Sequence, residues 1–493
     1  MELRFEAHDY RADTSFEHAS YEFSGSEQGG WTIQRNGAPY LDVGRGYRLL
    51  ETERCGVCST DLDRHFLPFP LPQVTGHELV AHVPGTSQRF VVEINASHRA
   101  RGVETACAFC DAGLETHCPE RHVLGIDSLP GGFGPYVLAP VNAMIAVPDV
   151  IPSDVAVLVE PFAATLHGVR TSEPREGDRV AVLGPRRLGM LLVAALAAER
   201  ARRGVRYEIV ALVRREELGT VALRFGADSF EVGDDGARAS DFDIVFDTTG
   251  NPDALAVALR RARREVHIKS THGRPAAGIA QVTAMVVDEL GIAKLGDCED
   301  AAAAFAARVG RFSGRPRPVL AWLATQSVPP AIEATFEVVR GDSAAALRSA
   351  FDGQPGLPRA DGVVVDAVAA SVDAVIRPSP ADEHSILRPR GTIWIDGRSR
   401  SDARTGELLE AVLEKDLRVS TSRCGDFHAA LDLLAADAAL RERVRSLVTH
   451  EFEANAIVEA FATARSEACI KAVVVHGSDR AGYRDGNLEV EGS

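Results

Sequence analysis

Cysteine is scarce in this sequence: eight in 493 residues, which excludes a disulfide-dense scaffold. Five of the eight fall between Cys55 and Cys118, and clustered cysteines in a chain without secretory features read as metal ligands before disulfides. Long apolar runs are also missing. The longest, Met190–Ala198, is far short of the roughly 20 residues that a membrane-spanning helix needs. Positive charge is in deficit, with 54 Lys and Arg against 70 Asp and Glu and a net charge of −16. That balance argues against non-specific binding to nucleic acid or to an anionic membrane surface. The opening residues Met1-Glu-Leu-Arg-Phe-Glu lack a basic, then apolar, then small-residue pattern, so no signal peptide is expected and the cytoplasm is the default location. What remains is a composition of 45% hydrophobic and 25% charged residues, as in globular proteins generally. The length suits roughly two to four domains.

Residues 1–30 read as polar, with a turn at Ser24–Gly30. Short strands follow at Trp31-Thr-Ile, Tyr47-Arg-Leu-Leu, Glu78–Val83 and Phe90–Ile94, which predict an irregular β-rich first domain. After Pro152 the pattern becomes an alternation of apolar strands (Arg179–Leu183, Glu208–Val213, Ile244–Asp247, Glu265–Lys269) with helices (Leu188–Ala198, Glu216–Phe225, Ala254–Ala262). Such alternation predicts βαβ units around a parallel sheet. Residues 292–415 break the pattern. They hold an Ala-rich helix at Ala301–Val309, a Pro/Arg linker at Arg311–Pro318 and further strands at 319–323, Gly362–Asp366, Asp373–Ile376 and Thr392–Asp396. Asp361–Asp396 weakly echoes Asp241–Lys269. The chain ends with a helix at Phe427–Ala435, a strand at Ala472–His476 and a polar tail.

Two constellations carry chemistry. Cys55-Gly-Val-Cys58-Ser-Thr60-Asp61 is followed by Gly76-His77-Glu78, and thiolate, imidazole and carboxylate are the groups that hold zinc with a position left open. Leu183-Gly184-Pro-Arg186-Arg-Leu188-Gly189 is a Gly-containing turn between a strand and a helix, as at dinucleotide sites. In this order, and with Glu93-Ile-Asn95, His117-Cys118-Pro119, Glu160-Pro161, Thr249-Gly250 and Ser422-Arg-Cys424-Gly425, the chain resembles the zinc-dependent medium-chain dehydrogenase/reductases, the group of alcohol, sorbitol and threonine dehydrogenases. The resemblance runs from Gly46 to Ser270 and resumes from Glu414 to His476.

The resemblance implies Cys58, His77 and Glu160 as catalytic zinc ligands, with Glu78 beside the metal as an exchangeable ligand. It implies that Asp61 fixes the tautomer of His77 and that Thr60 bonds the substrate oxygen and passes its proton outward. Asp63 stands where many relatives carry a relay histidine, with His65 two residues on. A structural zinc is implied at Cys107, Cys110 and Cys118. The fourth ligand is Glu104 at strict spacing or His98 if Glu93-Ile-Asn95 is the anchor, and His98 suits three thiolates better.

In the nucleotide turn, Gly184, Leu188 and Gly189 keep the pattern, while Arg186 occupies the middle-glycine position. Arg214 and Arg215 follow the strand ending at Val213, where an acidic residue would hold the ribose of NAD. Basic residues there suit a 2′-phosphate and favour NADP over NAD, unless Glu216 or Glu217 reaches the ribose instead. Thr249, Lys269 and Ser270 end successive strands at the edge where such ligands lie. His167, His267 and His272 read as structural.

The expectation is an α/β protein: an irregular β-rich GroES-like catalytic domain (1–162 and 426–493) and a doubly wound Rossmann coenzyme domain (163–291, with its last strand at 416–425). A large α/β insertion (292–415) extends the sheet or forms a cap, extension being preferred. The expected function is hydride transfer between NADP(H) and a small alcohol or polyol and its carbonyl partner, with no nucleic-acid or membrane partner. A homo-oligomer, dimer or tetramer, is implied by the resemblance. The rivals are a non-catalytic nucleotide- or metal-binding protein of the same fold, and a zinc lyase or epimerase holding a nucleotide.

Overall fold

The structure is a computed structural model that describes all residues except 65–68, 105–106, 234–235, 237, 272, 297–316, 352–356, 358, 378–384, 399–405 and 478–493. His65, His272, the helix expected at 301–309, most of the 311–318 linker and the polar tail lie outside or largely outside the described residues. The chain divides into two compact units: residues 1–107, 118–161 and 427–493 in one, 108–117 and 162–426 in the other.

The first unit begins with an antiparallel four-stranded sheet of β1 (Glu2–Tyr10), β2 (Phe16–Ser26), β3 (Gly30–Arg35) and β4 (Ala38–Val43). Two of these strands fall where the sequence reading put polar chain. Their signal is period-2 alternation: Phe5 and Ala7 on β1 and Tyr21 and Phe23 on β2 are buried between exposed or half-buried neighbours, and one face of such a hairpin must pack. Phe5 stacks on Tyr21 at 5.7 Å and meets Phe23 edge-on at 5.0 Å. The chain continues as β5 (Tyr47–Gly56), β6 (Glu78–His82), β7 (Arg89–Val92), β8 (Asn95–Ala96), β9 (His122–Val123), β10 (Tyr136–Pro140) and β11 (Met144–Ala146).

The second unit is built on an 11-stranded sheet. Its members are β12 (Arg179–Leu183), β13 (Glu208–Val213), β14 (Ser229–Val232), β15 (Phe242–Asp247), β16 (Ala262–Ile268), β17 (Gly291–Lys294), β18 (Val319–Trp322), β19 (Glu337–Arg340), β20 (Ala360–Asp366), β21 (Leu387–Asp396) and β22 (Arg418–Thr421). The order is β14-β13-β12-β15-β16-β22-β17-β21-β20-β18-β19. Val180–Val182, Ile244–Phe246 and Val363–Val365 are essentially without solvent exposure, as strands covered on both faces require. Residues 292–415 therefore extend the sheet. The strand expected at Asp373–Ile376 is instead part of a helix, Ala369–Val375; Val372 and Val375 are both buried, and at a spacing of three they share a helix face. After this unit the chain returns to the first, where β23 (Val448–Glu453) and β24 (Lys471–Val475) complete the sheet β11-β7-β6-β5-β24-β23, with β10 on β5.

A buried ion pair ties the far half of the large sheet together. Arg388 Nε donates to Asp361 Oδ1 at 2.7 Å, with side-chain exposures of 1% and 3%, while Asp361 Oδ2 accepts the backbone N–H of Val319 at 2.7 Å. Removing one member of such a pair strands the other charge. Arg388→Ala is expected to lower unfolding stability by about 3–5 kcal/mol, read by denaturant titration of the second unit's transition.

Candidate functional site: a metal centre and a nucleotide turn

The first centre lies within the first unit. Cys58 caps a one-turn helix, Ser59–Leu62, and its backbone N–H donates to Asp61 Oδ2 at 2.8 Å. The other carboxylate oxygen of Asp61 lies 3.4 Å from Nδ1 of His77. One acidic side chain thus fixes both the turn that carries Cys58 and the ring of His77, leaving Nε2 to face elsewhere. Gly76 precedes His77 with no room for a side chain, because a Cβ would come within 2.7 Å of Cys55 Sγ.

Ligand atoms of Cys58, His77 and Glu78 all lie within 4.8 Å of one another. A thiol, an imidazole and a carboxylate gathered this closely form a donor set that zinc accepts. The electrostatics agree. Burial by itself would lower the basicity of His77, but the Asp61 carboxylate and the Cys58 sulfur outweigh it and hold the imidazole well above its ordinary pKa. The pocket behind this ring therefore favours positive charge. Cys55 is buried and faces none of these groups as a ligand; burial pushes its thiol well up.

Glu160 stands half-buried in the first turn of the helix Val159–Ser172, and its carboxylate is not among the three gathered ligand atoms. Glu78 has a partner that the sequence reading did not find. Lys471 Nζ donates to Glu78 Oε2, and both side chains are 2% exposed. The only sequence signal for Lys471 is a charged residue heading the apolar strand β24. Thr60 is half-buried on the same one-turn helix as Asp61.

The Cys-bearing loop forms a second group, in which His98, Cys107, Cys110 and Cys118 bring their ligand atoms within 4.8 Å. Cys118 Sγ lies 3.4 Å from His98 Nδ1 and 3.9 Å from Cys107 Sγ. The sulfur separation is too long for a disulfide. It matches the edge of about 3.8 Å that a zinc tetrahedron with 2.3 Å bonds would have. His98 Nε2 in turn meets Glu120 at 3.2 Å. Glu104 is exposed and outside the group.

In the second unit, the turn after β12 has Gly184 and Gly189 where no side chain fits: a Cβ would lie 2.4 Å from Thr249 Cγ2 and 2.6 Å from Thr248 Oγ1, respectively. Arg186 stands at the N-cap position of the helix Arg187–Arg203 without a capping side-chain bond, and Leu188 in that helix is half-buried. Asp247 ends β15 and accepts from the N–H and hydroxyl of Thr249 at 2.9 and 2.7 Å; its burial raises its pKa. Ser270 Oγ accepts from the N–H of Gly250 at 2.8 Å. Arg214 and Arg215 are exposed at the end of β13. Lys269 is turned inward, donating to Ser422 O at 2.9 Å and Ser422 Oγ at 3.0 Å. Ser422 Oγ also meets Nε2 of the fully buried His267, whose other nitrogen faces Ser172 and Ser420.

With this geometry in view, the comparisons identify the class. Residues 44–149 match the alcohol dehydrogenase GroES-like domain. The chain belongs to the zinc-dependent medium-chain dehydrogenase/reductases, the alcohol dehydrogenase-like oxidoreductases. It is 30% identical over 269 residues to an L-threonine 3-dehydrogenase of Streptomyces avermitilis, covering 50% of this chain and 72% of that one. It is 28% identical over 256 residues to a Saccharomyces cerevisiae protein described as a diacetyl reductase, covering 43% of this chain and 60% of that relative's length. An alcohol dehydrogenase of Escherichia coli CFT073 in complex with NADH shares the fold, with a TM-score of 0.53 at 14% identity over 96% of this chain and 99% of that chain. Among the described residues, no helix is long and apolar enough to cross a membrane.

The two ligand groups are independent in sequence and chemistry, so they can be removed separately. Metal analysis of the purified protein is expected to give two zinc per chain, and one for Cys118→Ser, with Tm falling as the loop loses its cross-link.

Proposed function

We propose that the protein is a zinc-dependent oxidoreductase that transfers hydride between NADP(H) and a small alcohol or polyol and its carbonyl partner. The observation that carries this reading is the close gathering of Cys58, His77 and Glu78 with Asp61 behind the imidazole. Zinc would be held by Cys58 and His77 with a carboxylate. Glu160 is the one that the family resemblance names, and Glu78 is already neutralised by Lys471. When bound, the metal supplies the Lewis acidity that polarises an alcohol or carbonyl oxygen, and the nicotinamide supplies the hydride chemistry.

The chain's own residues do the rest. Asp61 holds His77 in one tautomer and orientation. Thr60 Oγ1 accepts the proton of the substrate hydroxyl and hands it outward, which its half-buried position favours. Gly184 and Gly189 let the backbone approach a pyrophosphate, and Arg186 offers it a cation. Arg214 and Arg215 favour the 2′-phosphate of NADP. Ser270 and Thr249 brace the strand ends around Gly250 and Asp247. Cysteines gathered as a metal-ligand set rather than in disulfides suit a reducing compartment, and we place the protein in the cytoplasm.

Titration with NADPH and with NADH, followed by nicotinamide fluorescence, tests the reading. NADPH is expected to bind more tightly. NADH-only binding would sink the choice of NADP, and binding of neither would sink the dehydrogenase. Cys58→Ser should abolish turnover while leaving NADPH binding intact, whereas retained activity would defeat the zinc mechanism.

A further inference from the structure

The large sheet is nearly symmetric about its middle. Reading outward from the β22/β17 junction, one side runs β22, β16, β15, β12, β13, β14 and the other runs β17, β21, β20, β18, β19. Every pairing within a side is parallel, and the junction itself is antiparallel, at Ile292 opposite Val419. On each side, four strands in chain order occupy matching places: β12, β13, β15, β16 on one and β18, β19, β20, β21 on the other.

Side-chain devices recur with the topology. Asp243 accepts the N–H of Arg179 at the head of β12 at 2.8 Å, and Asp361 accepts the N–H of Val319 at the head of β18 at 2.7 Å. Asp243 pairs with Arg263 from the neighbouring strand and Asp361 pairs with Arg388 from its own neighbour. Both strand pairs slip register at the same place, between Phe242 and Ile244 and between Ala360 and Gly362.

The approaches to the junction also match. The helix Val282–Val287 is followed by Glu289 at φ 55° and then Leu290, and the helix Glu407–Lys415 by Asp416 at φ 55° and then Leu417. A left-handed acidic residue is uncommon; of the three among the described residues, Glu173, Glu289 and Asp416, two stand three residues before the strand residue that meets its counterpart: Glu289 before Ile292, Asp416 before Val419. Ahead of the two helices, Gly278 and Gly406 face each other so closely that a Cβ on Gly278 would lie 2.8 Å from the Cα of Gly406.

One detail breaks simple repetition. The strand that follows β16 in the chain, β17, pairs with β21. The strand that follows β21, β22, pairs with β16. The two halves have exchanged their last strands. Antiparallel pairing of one edge strand with its own equivalent is what a two-fold axis between two separate subunits produces. After β18, however, the turn reads Leu323-Ala-Thr-Gln-Ser-Val-Pro-Pro330, with no glycine to cradle a phosphate, so the second half keeps the scaffold without the nucleotide turn.

We propose that β18–β22 and their helices are an internal second copy of the coenzyme half-sheet β12–β17, the two joined by reciprocal exchange of β17 and β22. The resulting half β17–β21 fills the position of a partner subunit at the β22 edge, so that the chain works as a single-chain particle rather than as the homo-oligomer its sequence resemblance implies. The remaining edges of this sheet support the assignment. β14 and β19 have four residues each and carry Glu231, Glu337 and Arg340, and short, charged edges resist pairing with another chain. The inference rests on the fold alone and stands whether or not the proposed reaction is correct.

Light scattering on the eluting full-length protein, over a broad range of loading concentration, is expected to return the single-chain mass of 52.8 kDa; a dimer or tetramer mass would overturn the proposal. A second measurement addresses the junction itself. After mild oxidation the I292C/V419C variant should form a disulfide within one chain, seen as a cross-linked peptide and a monomer band on a non-reducing gel. Covalent dimers beyond those of the wild-type protein treated alike would overturn it.

Discussion

The proposed metal centre depends on a concentration of carboxylates that water does not reach. Asp61 and Glu78 are each 1% exposed and the imidazole between them is 4% exposed, with the sulfur of Cys58 alongside. Buried carboxylates need compensation, since desolvating even one costs several kcal/mol. Each is answered differently here. Glu78 takes the ammonium of Lys471, delivered by the last strand of the chain. Asp61 takes a backbone N–H and the edge of His77. What is left over is the sulfur of Cys58 and a ring nitrogen, a pair of donors that a zinc ion would accept. The pairing of β24 with β5, through Val474 opposite Cys55, sets Lys471 against Glu78, so the end of the chain is part of the centre it encloses.

The second unit has a different constraint: an edge strand left bare would be a template for pairing with another chain. The junction answers it with the chain's own material, and the polar side chains around it are tied across. Glu289 is fully buried. Burial opposes its charge, but Arg390 of β21, His167 and His117 more than offset that and hold its carboxyl far below the usual range. It accepts from Arg390 Nε at 2.8 Å and from the Arg423 backbone at 3.0 Å. One carboxylate thus joins the turn before β17, the strand β21 and the residues after β22. Exchanged strands make such ties consequential, because neither half of the sheet can be withdrawn without unpairing a strand of the other.

The gathered residues were legible because their signal is local: Cys58 and Asp61 lie on one turn, and His77 and Glu78 are adjacent, whereas Glu160, which the resemblance implies as the third ligand, is not among the gathered atoms. The preference for His98 over Glu104 was legible from chemistry, as an imidazole beside three sulfurs, and His98 is the residue in the cluster. Lys471 was not, because nothing in a lysine heading an apolar strand names a partner 393 residues away. The echo of Asp241–Lys269 in Asp361–Asp396 was visible but faint. What recurs is a hydrogen bond from Asp243 or Asp361 to a strand head, a register slip and a left-handed residue, and these are features of backbone geometry that amino-acid letters record poorly. The helix at Ala369–Val375 is not legible from Asp373-Ala-Val-Ile, which alone is too short to show a period of 3.6; the period appears once Val372 is counted with Val375.

The nucleotide turn shows why one departure from a motif need not abolish it. Of the three glycine positions, the first and third are constrained by the protein itself: Thr249 blocks a side chain at Gly184 and Thr248 blocks one at Gly189. The middle position is constrained by the approach of a ligand's phosphates, and only there does this chain carry something else, Arg186, which sits outside the helix at φ −135° and ψ −113°. A side chain there costs the close backbone contact, but a guanidinium can replace a backbone N–H as a donor to phosphate and adds charge. The two glycines that the fold needs are kept, and under the proposed function the one that a nucleotide would need is exchanged for a group that its phosphates could also use.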